Sequence, residues 1–266
     1  MASLQDLTEK ARALPNMFSL AGKKALVVGG NKGLGQAMSL VFAASGADVC
    51  VAARGPAGLD ETAAAVESLG RKGMSLAVDV SSEAAVAELV EKTVSGLGGI
   101  DILVNSQGTV HLESSTDFDM EQWQRVMDVN IKSVVMTCKH AGRVMLSRGR
   151  GKIINISSVR GFQGRAGDMA YAPSKGAVNQ LTRSLAIEWG PKGVNVNAIA
   201  PTFFRTEISA PFLDDSEKSA WAMSRIPMKR FGDPTDMFGP AVFLASDASA
   251  FVNGHVLMVD GGWLIG

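Results

Sequence analysis

The chain has 266 residues, of which 46% are hydrophobic and 20% are charged, so it can bury the core of one large domain. Its 26 basic and 26 acidic residues cancel, which argues against nucleic acid or an anionic membrane surface as the main partner. Two distant cysteines, Cys50 and Cys138, and three scattered histidines give neither a disulfide pattern nor the ligand spacing of a metal site.

The first twenty residues mix apolar and charged positions, which predicts a short amphipathic helix that ends at Pro15. They contain no apolar core of a signal peptide, and no apolar run in the chain reaches the ~18 residues that a membrane helix needs. We therefore expect a cytoplasmic protein without a membrane partner. We expect an N-terminal extension over residues 1–20 and a single domain over residues 21–266.

Short apolar segments then alternate with helical patterns along the whole domain. The predicted strands cover residues 24–28, 49–53, 75–78, 101–104, 152–156 and 194–199, and the predicted helices cover 36–45, 59–69, 83–95 and 120–147. A further helix carries Tyr171 and Lys175, and an apolar segment near the C-terminus supplies another strand. This alternation predicts βαβ units in a doubly wound α/β fold, with one parallel sheet of about seven strands and helices on both faces.

A polar, irregular stretch over residues 202–230 interrupts this pattern and contains Pro211 and Pro227. It follows the carboxyl end of the sixth strand, which is the edge where doubly wound sheets bind ligands. We therefore interpret residues 202–230 as a lid on the substrate side of the site.

A glycine-rich turn joins the first strand to the following helix. Its glycines let the backbone approach a pyrophosphate, and the helix N-terminus supplies N–H donors. The predicted dinucleotide contacts in this turn are Gly29, Asn31, Lys32, Gly33, Leu34 and Gly35.

The second strand ends in Arg54 rather than in the acidic residue that binds the ribose of NAD, and Asp48 lies at the strand's opposite end. Arg54 and Lys32 together offer two cations to a 2′-phosphate. NADP(H) is therefore the expected cofactor, with NAD(H) as the alternative.

Tyr171 is the one tyrosine of the chain, and Lys175 follows it by four residues. In a helix these two side chains lie on the same face. A nearby ammonium lowers the pKa of a phenol from about 10 toward neutrality, which suits acid–base chemistry.

Further motifs follow the predicted strands in a fixed order. They are Asp79-Val80, Asn105 with Gly108, Asn130, Ser157-Ser158, Tyr171 with Lys175, and the segments 196–201 and 259–262. In order and spacing the chain resembles the short-chain dehydrogenase/reductase family, whose members have a Rossmann fold, from residue 20 to residue 263. This resemblance implies that Tyr171 is the general acid/base. It also implies that Lys175 lowers the Tyr171 pKa and binds the nicotinamide ribose, that Ser158 holds the substrate oxygen, and that Asn130 fixes a water.

The same resemblance implies further cofactor contacts. Asp79 would meet the adenine, the adenosine side would be lined by Asn105 and Gly108, and Thr206 would reach the nicotinamide carboxamide; Val80 and Pro201 belong to the same set. The chain departs from the family pattern at Val28, at Ser106-Gln107 and at Thr202. These departures concern the cofactor side and leave the four catalytic positions intact.

Within the family the chain is most similar to sugar-acid and polyol oxidoreductases, such as gluconate 5-dehydrogenases and 2-dehydro-3-deoxy-gluconate 5-dehydrogenases. A bidentate arginine could bind a substrate carboxylate, and the candidates are Arg160, Arg165 and Arg205, with His111 as a further contact. The alternatives are a 3-oxoacyl-carrier-protein reductase and a non-catalytic nucleotide-sensing or scaffold protein. The resemblance also implies a homotetramer.

Overall fold

A computed structural model, which describes residues 3–266, contains one seven-stranded sheet whose paired strands all run parallel. The strands are β1 Lys24–Val28, β2 Asp48–Ala53, β3 Gly73–Ala77, β4 Ile102–Asn105, β5 Gly151–Ile156, β6 Val194–Pro201 and β7 Val256–Val259. Their order across the sheet is β3-β2-β1-β4-β5-β6-β7. The predicted doubly wound fold is therefore confirmed.

Helices connect the strands and precede the first one. They are α1 Leu4–Arg12, α2 Leu14–Met17, α3 Gly33–Ala44, α4 Leu59–Ser68, α5 Glu83–Leu97, α6 Met120–Met127, α7 Ser133–Ser147, α8 Tyr171–Trp189, α9 Ala210–Leu213, α10 Ser216–Arg225 and α11 Phe238–Ala245. None of the described helices is long and apolar enough to cross a membrane.

The sheet is buried on both faces, which explains why its strands read as continuous apolar runs. In β1, Ala25 and Val27 pack against α3, α4 and α11, whereas Leu26 and Val28 pack against α5, α7 and α8. Successive side chains of a strand point to opposite faces, so each face receives every second residue. The two resulting cores hold the sheet between two helical layers.

The strand order reverses between β1 and β4, which is the switch point where doubly wound sheets bind ligands. The glycine turn follows β1, and Ser158 follows β5, so both lie at the carboxyl edge of the sheet. The fold thus brings the segments predicted to bind nucleotide and to carry out chemistry to one edge of the sheet.

Three local predictions differ from the structure. Pro15 does not end the first helix; it lies in the first turn of α2, where its missing N–H costs no hydrogen bond. The predicted helix over 120–147 is interrupted by a π-helical turn at Asp128–Lys132. The segment 202–230 is not irregular throughout, because it contains α9 and α10.

Candidate active site

Tyr171, Lys175 and Ser158 come together at the carboxyl end of β5. Tyr171 is the first residue of α8, and the Lys175 Nζ lies 5.7 Å from the centroid of the Tyr171 ring. Lys175 Nζ also donates a 2.8 Å hydrogen bond to the carbonyl of Ile156, the last residue of β5. The Ser158 hydroxyl lies close enough to the Tyr171 phenol to lower its pKa. The predicted triple therefore forms one contiguous cluster.

Ser157, the neighbouring serine, has a different place. Its side chain is buried and donates a 2.5 Å hydrogen bond to Oδ1 of Asn179 in α8. The Asn179 amide in turn donates to the carbonyl of Gly161 at 3.2 Å. Ser157 therefore holds the strand end against α8, while Ser158 faces the Tyr171 phenol.

The electrostatics of Tyr171 differ from the sequence-based prediction. Burial raises the pKa of the Tyr171 phenol, against the pull of a hydrogen bond from Ser158. Burial also lowers the pKa of Lys175 to about 8, since its ammonium lies in the protein interior. The predicted lowering of the Tyr171 pKa by Lys175 is thus not seen in the protein alone, where the ammonium is directed at the Ile156 carbonyl.

Asn130 lies in the π-helical turn between α6 and α7. Its Oδ1 accepts a 2.8 Å hydrogen bond from the Thr109 N–H, and its Nδ2 donates to the Thr109 carbonyl at 2.9 Å and to Ser174 Oγ at 3.0 Å. Ser174 is the residue before Lys175 in α8. Asn130 therefore ties the loop after β4 to the helix that carries Tyr171, and π turns of this kind are frequent at functional sites.

The glycine turn after β1 has the shape of a phosphate cradle. Gly29 has a φ of 78°, and a Cβ there would lie 2.7 Å from the Gln107 backbone nitrogen. A Cβ at Gly35 would overlap the Gly29 carbonyl oxygen. Lys32, at the N-cap of α3, makes no side-chain cap, so the first N–H groups of α3 are left for an anion. A nucleotide pyrophosphate fits this turn.

Other predicted cofactor residues surround the turn. Asn31 Nδ2 donates to the Ala57 carbonyl at 2.8 Å, which fixes the turn against the loop after β2. Arg54 is exposed at the end of β2, and Leu34 is partly buried at the start of α3. Hydrogen bonds from Ser81 lower the pKa of Asp79, and the Arg54 charge adds to that effect, so these two side chains lie near each other. Val80 is buried beside them.

Lys32 is not free for a 2′-phosphate in this structure. Its Nζ forms a 2.7 Å ion pair with Glu207 of the segment 202–230. Thr206 lies over the same turn, because a Cβ at Gly33 would be 3.5 Å from the Thr206 side chain. A cleft of about 610 Å³ opens beside this contact, and Gly33, Arg205 and Thr206 line it. Arg54 is therefore the better placed of the two predicted cations.

The two residues predicted to line the adenosine side, Asn105 and Gly108, lie at the end of β4 and in the loop after it. The Asn105 side chain is buried, donates to Asn155 Oδ1 at 2.9 Å and accepts from Thr137 Oγ1 at 2.6 Å. This leaves only the Asn105 backbone for a cofactor. A Cβ at Gly108 would lie 3.8 Å from Lys175 Nζ, so Gly108 lies at the catalytic end of the cleft. Pro201 is the buried last residue of β6.

The predicted substrate residues separate into paired and unpaired side chains. His111 Nε2 lies 3.1 Å from Glu113 Oε2, and Arg165 donates to the buried Asp168 at 3.1 Å. Arg205 is exposed and stacks on Phe231 at 5.3 Å. Arg160 is buried near the Tyr171 cluster.

Asp168 is a site residue that the sequence reasoning missed. Its Oδ1 accepts a 2.9 Å hydrogen bond from the Ala172 N–H in the first turn of α8, and its charge raises the pKa of Tyr171. An aspartate shortly before the helix that carries Tyr171 could have indicated a contact with the free N–H groups of the first helical turn. Asp168 therefore positions the helix end that presents the phenol.

Among the described residues, no group of three or more His, Cys, Asp or Glu side chains is placed to hold a metal ion. The site instead combines a nucleotide cradle at the sheet's switch point with a Tyr–Lys–Ser cluster. That combination defines a nucleotide-dependent oxidoreductase of the doubly wound class.

Comparisons with known proteins identify the family. A family model described as enoyl-(acyl carrier protein) reductase matches residues 28–264. The chain is 46% identical over 255 residues to the 2-dehydro-3-deoxy-D-gluconate 5-dehydrogenase of Bacillus subtilis (strain 168), an alignment that covers 94% of this chain and 98% of that protein.

Solved structures agree. A short-chain type dehydrogenase/reductase from Mycobacterium marinum is 33% identical with a TM-score of 0.91, covering 95% of this chain and 100% of that one. A gluconate 5-dehydrogenase from Burkholderia cenocepacia J2315, in complex with NADP and tartrate, is 34% identical with a TM-score of 0.90, covering 94% and 98%. The chain belongs to the short-chain dehydrogenase/reductase family, as its motifs predict.

The buried Lys175 ammonium gives a prediction for the nucleotide-free protein. Lowering its pKa from 10.5 to about 8 corresponds to about 3 kcal/mol of instability at pH 7. Lys175→Met removes this cost but loses the hydrogen bond to Ile156, so we expect the free energy of unfolding to rise by about 2 kcal/mol. Urea denaturation at pH 7 measures the change, and Lys192→Met, at an exposed lysine, is the control.

The direction in which the free energy of unfolding changes with pH follows from proton linkage. Between pH 8 and 10.5 the unfolded chain still binds the Lys175 proton that the folded chain has released, so wild-type stability rises with pH across this window. The advantage of Lys175→Met should therefore shrink by pH 10.5. A variant less stable than the wild type at pH 7 would contradict the burial cost.

Proposed function

We propose that the protein is an NADP(H)-dependent oxidoreductase that interconverts a carbinol and a carbonyl group of a sugar acid of the gluconate type. The observation that carries the proposal is the convergence of Ser158, Tyr171 and Lys175 beside the glycine turn. The relative from B. subtilis and the structure from B. cenocepacia, both 5-dehydrogenases of gluconate-type acids, support the substrate class. NADP(H) bound at the turn supplies or accepts the hydride.

Tyr171 is the proposed general acid/base. In reduction its phenol gives a proton to the substrate oxygen, and in oxidation the phenolate takes that proton. A phenol whose pKa is raised by burial is a protonated donor at neutral pH. Ser158, whose hydroxyl lies beside the Tyr171 phenol, turns its single O–H toward the substrate oxygen and donates a hydrogen bond as negative charge develops there.

Lys175 and Asn130 support the phenol in this proposal. Lys175 bonds the nicotinamide ribose, and its ammonium beside the ring favours the phenolate. Asn130 fixes the loop after β4 against Ser174 and holds a water behind Lys175. These roles complete the catalytic set of Asn130, Ser158, Tyr171 and Lys175.

The two adjacent serines provide a matched test of the catalytic assignment. Tyr171→Phe should lower kcat by at least about 10³-fold, and Ser158→Ala by about 10²-fold, while both variants still bind NADPH. Ser157→Ala removes a structural hydrogen bond, so it should lower the unfolding free energy by about 1 kcal/mol and change kcat far less. Steady-state kinetics on D-gluconate and fluorescence titration of NADPH measure these effects.

Retained turnover in Tyr171→Phe would indicate a non-catalytic scaffold instead. Activity of the wild type on 3-oxoacyl thioesters, without activity on sugar acids, would favour the carrier-protein reductase. That alternative has less support, because it requires a basic docking surface and the chain has no net charge.

The cofactor preference rests on Arg54. Its exposed guanidinium at the end of β2 is proposed to bind the 2′-phosphate, with a smaller contribution from Lys32, which has to leave Glu207. Asp79 and Val80 flank the adenine side, and Thr206 faces the nicotinamide end. The NADP-bound structure from B. cenocepacia supports this choice over NAD(H).

Arg54→Gln should therefore raise the KM for NADPH by about tenfold and leave that for NADH nearly unchanged. Lys32→Gln should have a smaller effect, and Arg183→Gln, at an exposed position of α8, should have none. Equal losses with both cofactors in Arg54→Gln would contradict a phosphate contact.

If residues 202–230 form a lid, proteolysis within this segment should be slower when NADPH is bound. Equal rates of proteolysis with and without NADPH would argue against a lid.

We also propose a cytoplasmic homotetramer. Ile187 in α8 is 79% exposed and Phe251 is fully exposed. Asn253, two residues after Phe251, donates to the carbonyl of Ala186, the residue before Ile187, at 2.9 Å, so the two apolar side chains lie in one region. Exposed aromatic groups of this kind are common at subunit contacts. The two buried free thiols suit a reducing compartment.

Phe251→Glu should lower the mass seen in sedimentation equilibrium, because a carboxylate would be buried without a partner at the contact. Leu69→Glu, at a partly exposed leucine after α4, should leave the mass unchanged. A wild-type mass of 27.9 kDa, that of one chain, would contradict the assembly.

A further inference from the structure

Arg160 is a buried guanidinium without a carboxylate of its own. It is 9% exposed, and NH1 donates to the Gly164 carbonyl at 3.2 Å. In the part of the chain that the structure describes, no acidic side chain forms an ion pair with Arg160. Arginine is rarely buried unless it is paired, because an unpaired buried charge is costly. Arg160 therefore keeps a positive charge that no described carboxylate compensates and that an anion can pair with.

The neighbouring charges strengthen this conclusion. Burial, followed by the positive charge of Arg165 and then that of Arg225, lowers the pKa of Arg160, while Asp168 and Tyr171 oppose the change. Arg165 is neutralised by its ion pair with Asp168. Arg225, like Arg160, has no ion pair among the described residues. Two uncompensated guanidinium groups thus lie within electrostatic range of one another, and the charge of Arg160 also acts on Tyr171.

Aromatic side chains hold both groups in place. The guanidinium carbon of Arg160 lies 5.7 Å from the centroid of the Trp263 ring, and that of Arg225 lies 5.1 Å from the same centroid. Trp263 is completely buried, and its Nε1 donates to Gln163 Oε1 at 3.0 Å. A stacked, oriented guanidinium is well suited to bind a carboxylate with two parallel hydrogen bonds.

Arg160 is also linked directly to the reaction centre. Its backbone N–H donates to Ser158 Oγ at 3.1 Å, and its charge acts on the Tyr171 phenol. The other candidates lack this link or are already paired: Arg165 binds Asp168, and Arg205 stacks on Phe231 at the cleft beside Gly33. The geometry therefore distinguishes Arg160 from the two arginines grouped with it by sequence.

We propose that Arg160, supported by Arg225, is the subsite that binds the carboxylate of the substrate. It holds the carboxylate of the acid so that a carbon farther along the substrate reaches Ser158 and Tyr171. This inference rests on the proposed function, since it names the group that selects a sugar acid over a neutral sugar alcohol.

Two substrates that differ at one end test the subsite. D-Gluconate has a carboxylate where D-glucitol has a hydroxymethyl group. With NADP, Arg160→Gln should lower kcat/KM for gluconate by about 10- to 100-fold, mainly through KM, and leave kcat/KM for glucitol nearly unchanged. Arg160→Lys should lie between, and Arg225→Gln should show the same selectivity at smaller size. Arg205→Gln should keep the wild-type ratio of the two substrates.

Equal losses on both substrates would overturn the proposal, because they would show that Arg160 only supports the fold. The second readout needs no turnover: with NADP present, tartrate should raise the melting temperature of the wild type and not that of Arg160→Gln. An equal shift in both proteins would also overturn it. If the wild type turns over neither substrate, the proposed function fails, and the tartrate measurement still decides whether Arg160 binds a carboxylate. If Arg160→Gln does not fold, Arg160→Lys and Arg225→Gln decide in the same assays.

Discussion

The hydrogen bond from the Lys175 ammonium to the Ile156 carbonyl joins the end of β5 to the first turns of α8. The last carbonyl of a strand needs a partner, and here a buried cation supplies it in place of the next strand or water. The same bond places Lys175 beside Tyr171, and Ser158 follows Ile156 by two residues. This contact between sheet and helix therefore helps to set the relative positions of the proposed catalytic side chains.

Polar side chains surround this contact and extend its effect. Ser157 and Asn179 attach the loop after β5 to α8, while Asn130 attaches the loop after β4 to the same helix. Each of these groups is buried and satisfied, so removing one leaves its partner without a hydrogen bond at a cost of about 1–3 kcal/mol. A network of this kind makes the carboxyl edge of the sheet rigid, as a site that must orient a substrate oxygen requires.

The sequence predicted the features that follow local rules. The apolar strands, the glycine turn and the four-residue spacing of Tyr171 and Lys175 all depend on periodicity or on backbone conformation, and they appear where expected. The Tyr171 pKa is raised rather than lowered, contrary to the sequence-based prediction. Its value depends on burial and on Asp168, Arg160 and Arg165, which the folded loop after β5 places around the phenol.

Long-range packing accounts for contacts that the sequence does not show. The Asn105 side chain is buried because it hydrogen-bonds to Asn155 of β5 and Thr137 of α7. Both partners are distant in sequence, so the residues around Asn105 do not indicate them. The stacking of Arg160 on Trp263 joins residues that are about a hundred positions apart. Local patterns therefore predict which residues reach the site, and only the fold shows which of their side chains are already engaged.

If Arg160 binds the substrate carboxylate as proposed, the charges around Tyr171 couple that binding to the pKa of the phenol. Arg160 and Arg165 lower the pKa of the phenol, and Asp168, which pairs with Arg165, raises it. A carboxylate that pairs with Arg160 cancels the lowering from that side, as Asp168 already does for Arg165. The phenol then holds its proton more tightly, and the protonated form is the one that gives a proton to a carbonyl oxygen. A sugar acid bound at the proposed subsite would therefore make the phenol a weaker acid, whereas a neutral sugar leaves the Arg160 charge uncompensated and the phenol more acidic.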